Sequence, residues 1–140
     1  MRTVVLAILL AFVIIPTGFA ADKWVSIQTT HFTLVGNASE GTIRRVGENL
    51  EQFREAVTRL LPHAKTETPV NTVVMVFRDD GSFTPFKPLY NGKPANVAGY
   101  FQSGSDVNYI AMRGDLEAPR VIYHEFFHQV AADTLGRLPA

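Results

Sequence analysis

Cysteine is missing altogether from these 140 residues. Its absence excludes disulfide staples, thiolate metal sites and a lipid-modified cysteine anchor. An excess of either charge is missing too. Thirteen Lys and Arg face thirteen Asp and Glu, so the formal net charge is zero with neutral histidine. That balance argues against nucleic acid or an anionic membrane surface as partner. No internal repeat and no low-complexity tract is visible. The apolar run Val4 to Ile15 has 12 residues, short of the ~20 that a spanning helix requires. What remains is a globular composition, 46% apolar and 19% charged, in a length that favours one domain.

The N-terminal run has the order of a signal peptide. Arg2 gives it a positive start, Pro16-Thr17-Gly18 breaks it, and Gly18-Phe19-Ala20 places small residues at the two positions a signal peptidase reads. Residues 1–20 are therefore read as a signal peptide and 21–140 as the mature domain. This predicts export to a periplasmic or extracellular space, with no stable membrane association after cleavage. The alternative is an uncleaved N-terminal membrane anchor. Without disulfides, stability must come from the core and from any bound metal.

Along the mature chain the apolar pattern changes period several times. Trp24 to Thr29 alternates, and Phe32 to Val35 follows after a short break, which predicts two strands in a hairpin. Asn37 and Ser39 offer capping chemistry. Ile43, Val46, Leu50, Phe53, Val57, Leu60 and Leu61 then share one helical face until Pro62 stops the helix. Asn71 to Phe77 reads as a buried strand. Asp79-Asp80-Gly81 reads as a turn rather than a calcium loop, because no EF-hand spacing follows. The stretch containing Phe83, Phe86 and Tyr90 is too rich in proline for a long helix and too aromatic for a bare linker. It reads as an ordered loop packed on the sheet; lining a pocket is the less common use of such rings. Val97 to Gln102 and Val107 to Met112 read as a second hairpin. A last helix is expected to start near Asp115 to Pro119, with Asp115 as cap, and to run to about Leu135 before Gly136. The order β-β-α-β-loop-β-β-α predicts an α+β domain, a small sheet backed by helices.

The last helix carries His124-Glu125-Phe126-Phe127-His128. Positions i and i+4 lie about 40° apart around a helix and about 6 Å apart along it, so both imidazoles can aim at one point. Neutral imidazole is a good zinc ligand at ~2.0–2.1 Å in a tetrahedral shell. Glu125 lies about 100° from His124 and about 60° from His128 around the axis, beside the metal position rather than pointing at it. There a carboxylate can take a proton from activated water and pass it to a leaving amine. Chance matches to HExxH are common across many chains, so context decides. Here the motif sits on a predicted helix after a strand (Tyr109 to Met112) in a chain expected to be exported. The bland alternative is two histidines and a solvated glutamate on a half-exposed helix.

These features together resemble the gluzincin-like peptidase MA domain, a zincin-type metallopeptidase group long classed as of unknown function and often joined to helical repeats. The resemblance covers most of the mature chain. It includes Trp24, Thr30-His31-Phe32, Leu50-Glu51-Gln52-Phe53, Val76-Phe77, Val97-Ala98-Gly99-Tyr100-Phe101, Tyr109-Ile110-Ala111, Val121 through His128, and Leu135-Gly136-Arg137-Leu138-Pro139. It implies a zincin-like N-terminal subdomain with an amphipathic backing helix and the HExxH active-site helix. It further implies a Zn2+ cofactor on His124 and His128, Glu125 as catalytic base, and a peptide or protein substrate lying along the strand before the motif helix. A downstream helical-repeat region in a longer protein is implied as a partner segment.

One part of the family pattern is absent. A glutamate from a later helix, commonly in a Trp-x-x-Glu-Gly context, is the third ligand in gluzincin-like enzymes, and Ala140 stands only 12 residues past His128. The longer HExxHxxGxxH pattern fails, because its glycine and third histidine positions hold Ala131 and Thr134. Asp133, five residues past His128, lies about 140° around the helix from it. A catalytic zinc normally has three protein ligands and a water. The sequence therefore predicts a zinc peptidase domain whose third ligand lies beyond Ala140, inactive as these residues alone. The alternative is a non-catalytic metal- or peptide-binding remnant. Lesser candidates are His31 and His63 as ligands, each better explained as a strand-edge polar residue and a helix-end cation. Tyr100, Tyr109 and Tyr123 are candidates for oxyanion donation, with nothing to select among them.

Overall fold

A computed structural model describes residues 22–64, 66, 70–116 and 120–135. The expected signal peptide, the start of the motif helix at Glu117 to Pro119 and its stop at Gly136 lie outside the described residues. Among those described, no helix is long and apolar enough to cross a membrane.

The alternating segments form the expected hairpin. Strand β1 (Val25–Gln28) pairs antiparallel with β2 (Phe32–Gly36), Val25 opposite Gly36. Helix α1 (Glu40–Leu60) then begins where Ser39 Oγ accepts the Thr42 amide at 3.1 Å, satisfying one of the free donors of its first turn. Ile43, Val46, Leu50 and Val57 are its buried stripe. Burying Ile43 and Leu50 fully contributes about 1.5–3 kcal/mol each. On the solvent side Arg44 pairs with Glu40 at 2.6 Å and Arg59 with Glu55, both at i, i+4 spacing.

Strand β3 (Asn71–Phe77) lies parallel to β2, with α1 as the crossover. Strand β7 (Val107–Arg113) lies parallel to β3, and β6 (Gly99–Gln102) pairs antiparallel with β7. The result is a five-stranded mixed sheet in the order β1-β2-β3-β7-β6. The last helix, α3 (Arg120–Leu135), lies on the same face of the sheet as α1. Phe32, Leu34, Val74, Val76, Ile110 and Met112 from the sheet meet Ile43, Val46, Leu50, Phe126 and Val130 from the helices. The fold is thus α+β, a sheet backed by two long helices.

Between β3 and β6 the chain is more structured than its proline content suggests. Asp79 does not simply turn the chain. Its carboxylate accepts the Ser82 amide at 2.8 Å and Ser82 Oγ reaches back to the Asp79 backbone, a reciprocal cap on the short helix α2 (Asp80–Phe83). A single 3-10 turn (Thr84–Phe86) follows. Then come β4 (Leu89–Tyr90) and β5 (Lys93–Pro94), joined across Asn91 and Gly92 at φ 51° and 73°. Both tip residues are left-handed, as a two-residue primed turn requires, and Asn-Gly is the pair that tolerates it. Phe83 stacks on Phe77 at 5.1 Å, and Phe86 lies 4.8 Å from the same ring. These aromatics therefore pack the loop onto the far face of the sheet, while Tyr90 stays exposed. Asp115 ion-pairs with Arg113 at 2.7 Å.

Candidate metal centre

Helix α3 separates its motif histidines from its core residues by angle. Phe126 and Val130 point into the core, Phe126 edge-on to Phe32 at 5.6 Å, while Tyr123 stacks on Phe53 of α1 at 4.3 Å. Gln129, 2% exposed, donates from Nε2 to Thr72 Oγ1 of β3 at 2.8 Å. These contacts fix the helix's rotation. His124 and His128, on the opposite side, are exposed.

The two imidazoles converge. Their Nε2 atoms lie 3.0 Å apart, with rings 4.5 Å between centroids and nearly perpendicular. Two nitrogens held ~2.0–2.1 Å from one tetrahedral zinc lie ~3.3 Å apart, so a shift of a few tenths of an ångström suits this pair to the ion. Only one Nε2 of the pair can carry a proton at that separation, since two N–H groups would point at each other. The imidazole pair fits zinc. A full ligand set does not assemble: among the described residues no group of three His, Cys, Asp or Glu side chains could hold a metal.

Glu125 is half-buried and turns to the side of the pair. With His124 it lines a groove of ≈ 390 Å³ between α3 and the sheet edge, whose other walls are Val97, Ala98, Gly99, Arg120 and Val121. The walls approach so closely at Gly99 that a side chain there would meet Val121 Cγ1 at 2.8 Å and the Ala111 carbonyl at 3.0 Å. Glycine is what lets helix and strand meet.

The strand expected to carry substrate has little free edge. The strand before the motif helix is β7, and both of its edges are already paired, with β3 and with β6. Its hydrogen-bonding groups are therefore taken. Strand β6 is the sheet's outer strand on this side, and its Gly99 opens onto the groove.

The lesser candidates go elsewhere. His31 Nδ1 lies 2.6 Å from Glu51 Oε2, and Glu51 Oε1 also accepts from Thr29 Oγ1 and the His31 amide at 2.7 and 2.8 Å. His31 is thus bracketed to α1. Burial pulls the Glu51 pKa upward, but the hydrogen bonds from His31 and Thr29 outweigh it and hold the carboxyl below its ordinary range. His63 is exposed in the turn after α1. Tyr100 donates to the Phe86 carbonyl at 2.8 Å and packs on Phe83, on the sheet face away from α3. Tyr109 alternates onto that same far face, and Tyr123 is committed to Phe53. Asp133 is half-buried, off the histidine face. Two features were missed from sequence, Arg120 in the groove and the buried Gln129. The second had a signal, an amide three residues after Phe126 where the inward-facing stripe asks for an apolar side chain.

No protein-family model matches the chain, and no curated protein matches it.

Proposed function

We propose that the chain carries the core of an exported, zinc-dependent peptidase domain of the gluzincin-like, zincin type. The observation that carries this reading is the 3.0 Å approach of His124 and His128 Nε2 on a helix whose other face is locked into the core. The HExxH spacing and the groove beside it support the same reading.

In this reading His124 and His128 hold the metal through Nε2, and a third ligand comes from residues outside those described. A zinc ion held there would supply Lewis acidity toward a peptide carbonyl and toward water near neutral pH. Glu125 takes a proton from water on its carboxylate and delivers it to the departing amine nitrogen. Its carboxylate has no hydrogen bond or ion pair among the described residues, which leaves it free for this exchange. Val97 to Gly99 and Val121 provide apolar walls for an extended peptide. The open edge of β6 offers backbone groups to orient it.

The test is Glu125→Gln. Peptide hydrolysis should fall by at least about 100-fold while zinc stoichiometry stays unchanged. Persistent hydrolysis would overturn the assigned base. A second reading, a metal- or peptide-binding domain without turnover, is favoured by the lack of a third ligand among the described residues. Zinc and peptide binding by the purified wild-type chain, with no hydrolysis of a peptide library, would select it.

A further inference from the structure

The groove beside His124 is apolar along most of its walls but ends in a cation. Arg120 is exposed, lines the groove, and makes no ion pair or hydrogen bond among the described residues. Most other described arginines are engaged. Arg44 and Arg59 pair along α1, Arg78 binds Asp22 and Asp79, Arg113 binds Asp80 and Asp115, and Arg54 donates to the Thr66 carbonyl. Arg45 also lacks a partner among the described residues, but it sits on the solvent side of α1, outside this groove.

Among the described residues no local partner accounts for Arg120. A cation in the first turn of a helix faces the positive end of the helix dipole, the less favourable end. What Arg120 does have is position. It precedes His124 by four residues, so it shares that helix face, about 6 Å away along the axis. Glu125 lines the same groove, one residue past His124. An extended peptide advances ~3.3 Å per residue, so 6 Å corresponds to about two residues.

We propose that Arg120 makes this groove selective for peptides that carry a carboxylate about two residues from the bond presented to Glu125. The inference rests on the peptidase reading for its substrate class. A guanidinium takes a carboxylate through paired N–H donors, and the apolar walls reduce competing hydration. The Glu125 carboxyl lines the same groove and offers an incoming carboxylate no paired donors, so Arg120 is the group that takes it. The carboxylate is either an Asp or Glu side chain or the peptide's own C-terminus.

The test is binding, read without turnover. Fluorescein-labelled heptapeptides with amidated C-termini are titrated against the metal-free full chain by anisotropy, with one Glu walked through a neutral background and Gln at the same positions as reference. One Glu position should bind about tenfold tighter than its Gln counterpart. R120Q should erase the difference, R120E should reverse it in favour of a Lys peptide, and R45Q should leave it intact. A parallel set with free C-termini separates the two sources: an advantage confined to free carboxyl ends identifies the chain terminus as the recognised group. Equal binding of Glu and Gln peptides, a preference that survives R120Q, or no peptide binding at all overturns the proposal. Zinc stoichiometry on His124 and His128, measured separately, reports on the peptidase reading, so the two can fail independently.

Discussion

His31 holds its ring with a carboxylate 2.6 Å from Nδ1, whereas His124 and His128 meet only each other among the described residues, Nε2 to Nε2 at 3.0 Å. Around His31 the hydrogen bonds close: Glu51 accepts the ring, the His31 amide and the Thr29 hydroxyl at once. That is how a histidine is used to tie a strand turn to a helix. At the motif pair two imidazoles converge, and among the described residues neither has the partner that usually orients a ligating imidazole through its second nitrogen. The contrast teaches that the two sites are at opposite stages of completion. One is satisfied as it stands, and the other closes no hydrogen bond among the described residues beyond that between its own two rings.

Metal binding breaks the comparison most sharply. H124A or H128A is expected to weaken zinc binding by about 100-fold or more, because one remaining imidazole cannot chelate. Both side chains are exposed, so metal-free stability should move by no more than about 0.5 kcal/mol. H31A should give the reverse pattern, unchanged zinc affinity and a loss of about 1–2 kcal/mol with the Glu51 hydrogen bond. Zinc titration against a competing chelator and urea unfolding measure both halves. Zinc loss in H31A would merge the two sites.

The pH dependence of stability is the next largest difference. The Glu51 pKa is lowered in the folded state, so its contribution is present above the unfolded value of 4.5. It is lost as pH falls from there through the lower folded value. E51Q should therefore be less stable than wild type by about 1–2 kcal/mol near neutral pH, with the gap closing as pH falls below 4.5. Urea midpoints from pH 3 to 7 check the sign. A gap that stayed constant with pH would mean that the bracket depends on shape and not on charge.

Which parts were legible in the sequence follows from how local each signal is. The stripe from Ile43 to Val57, the alternation at Val25 to Gln28 and the turn between β6 and β7 are each fixed within a dozen residues, and each formed where the pattern predicted. The motif pair was equally local, because four residues on a helix bring the rings together whatever the rest of the chain does. Strand order was not local. Only pairing across more than 30 residues placed β7 between β3 and β6, and that pairing moved the open edge to β6. The His31–Glu51 bracket spans 20 residues between two elements, so no spacing rule announced it. The Asp79–Ser82 cap was local and readable. It was missed because Asp-Asp-Gly is also good turn chemistry.

The smallest expected effect concerns Gln129, which joins the two halves of the comparison by sitting inward on the same helix that carries the histidines outward. Its Nε2 is satisfied by Thr72 Oγ1 at 2.8 Å, but its buried Oε1 has no partner among the described residues. Q129M keeps the length of the side chain and removes both polar atoms. The lost hydrogen bond costs about 1 kcal/mol, and removing an unsatisfied buried acceptor returns a similar amount. Stability should therefore change by less than about 1 kcal/mol. The helix nevertheless loses a directional contact that helps set its rotation against β3, while Phe126 and Val130 supply packing that tolerates small slips. Zinc affinity should then fall several-fold with stability almost unmoved, a combination that a purely structural role for Gln129 does not produce. Unchanged zinc affinity in Q129M would show that the core aromatics alone aim His124 and His128.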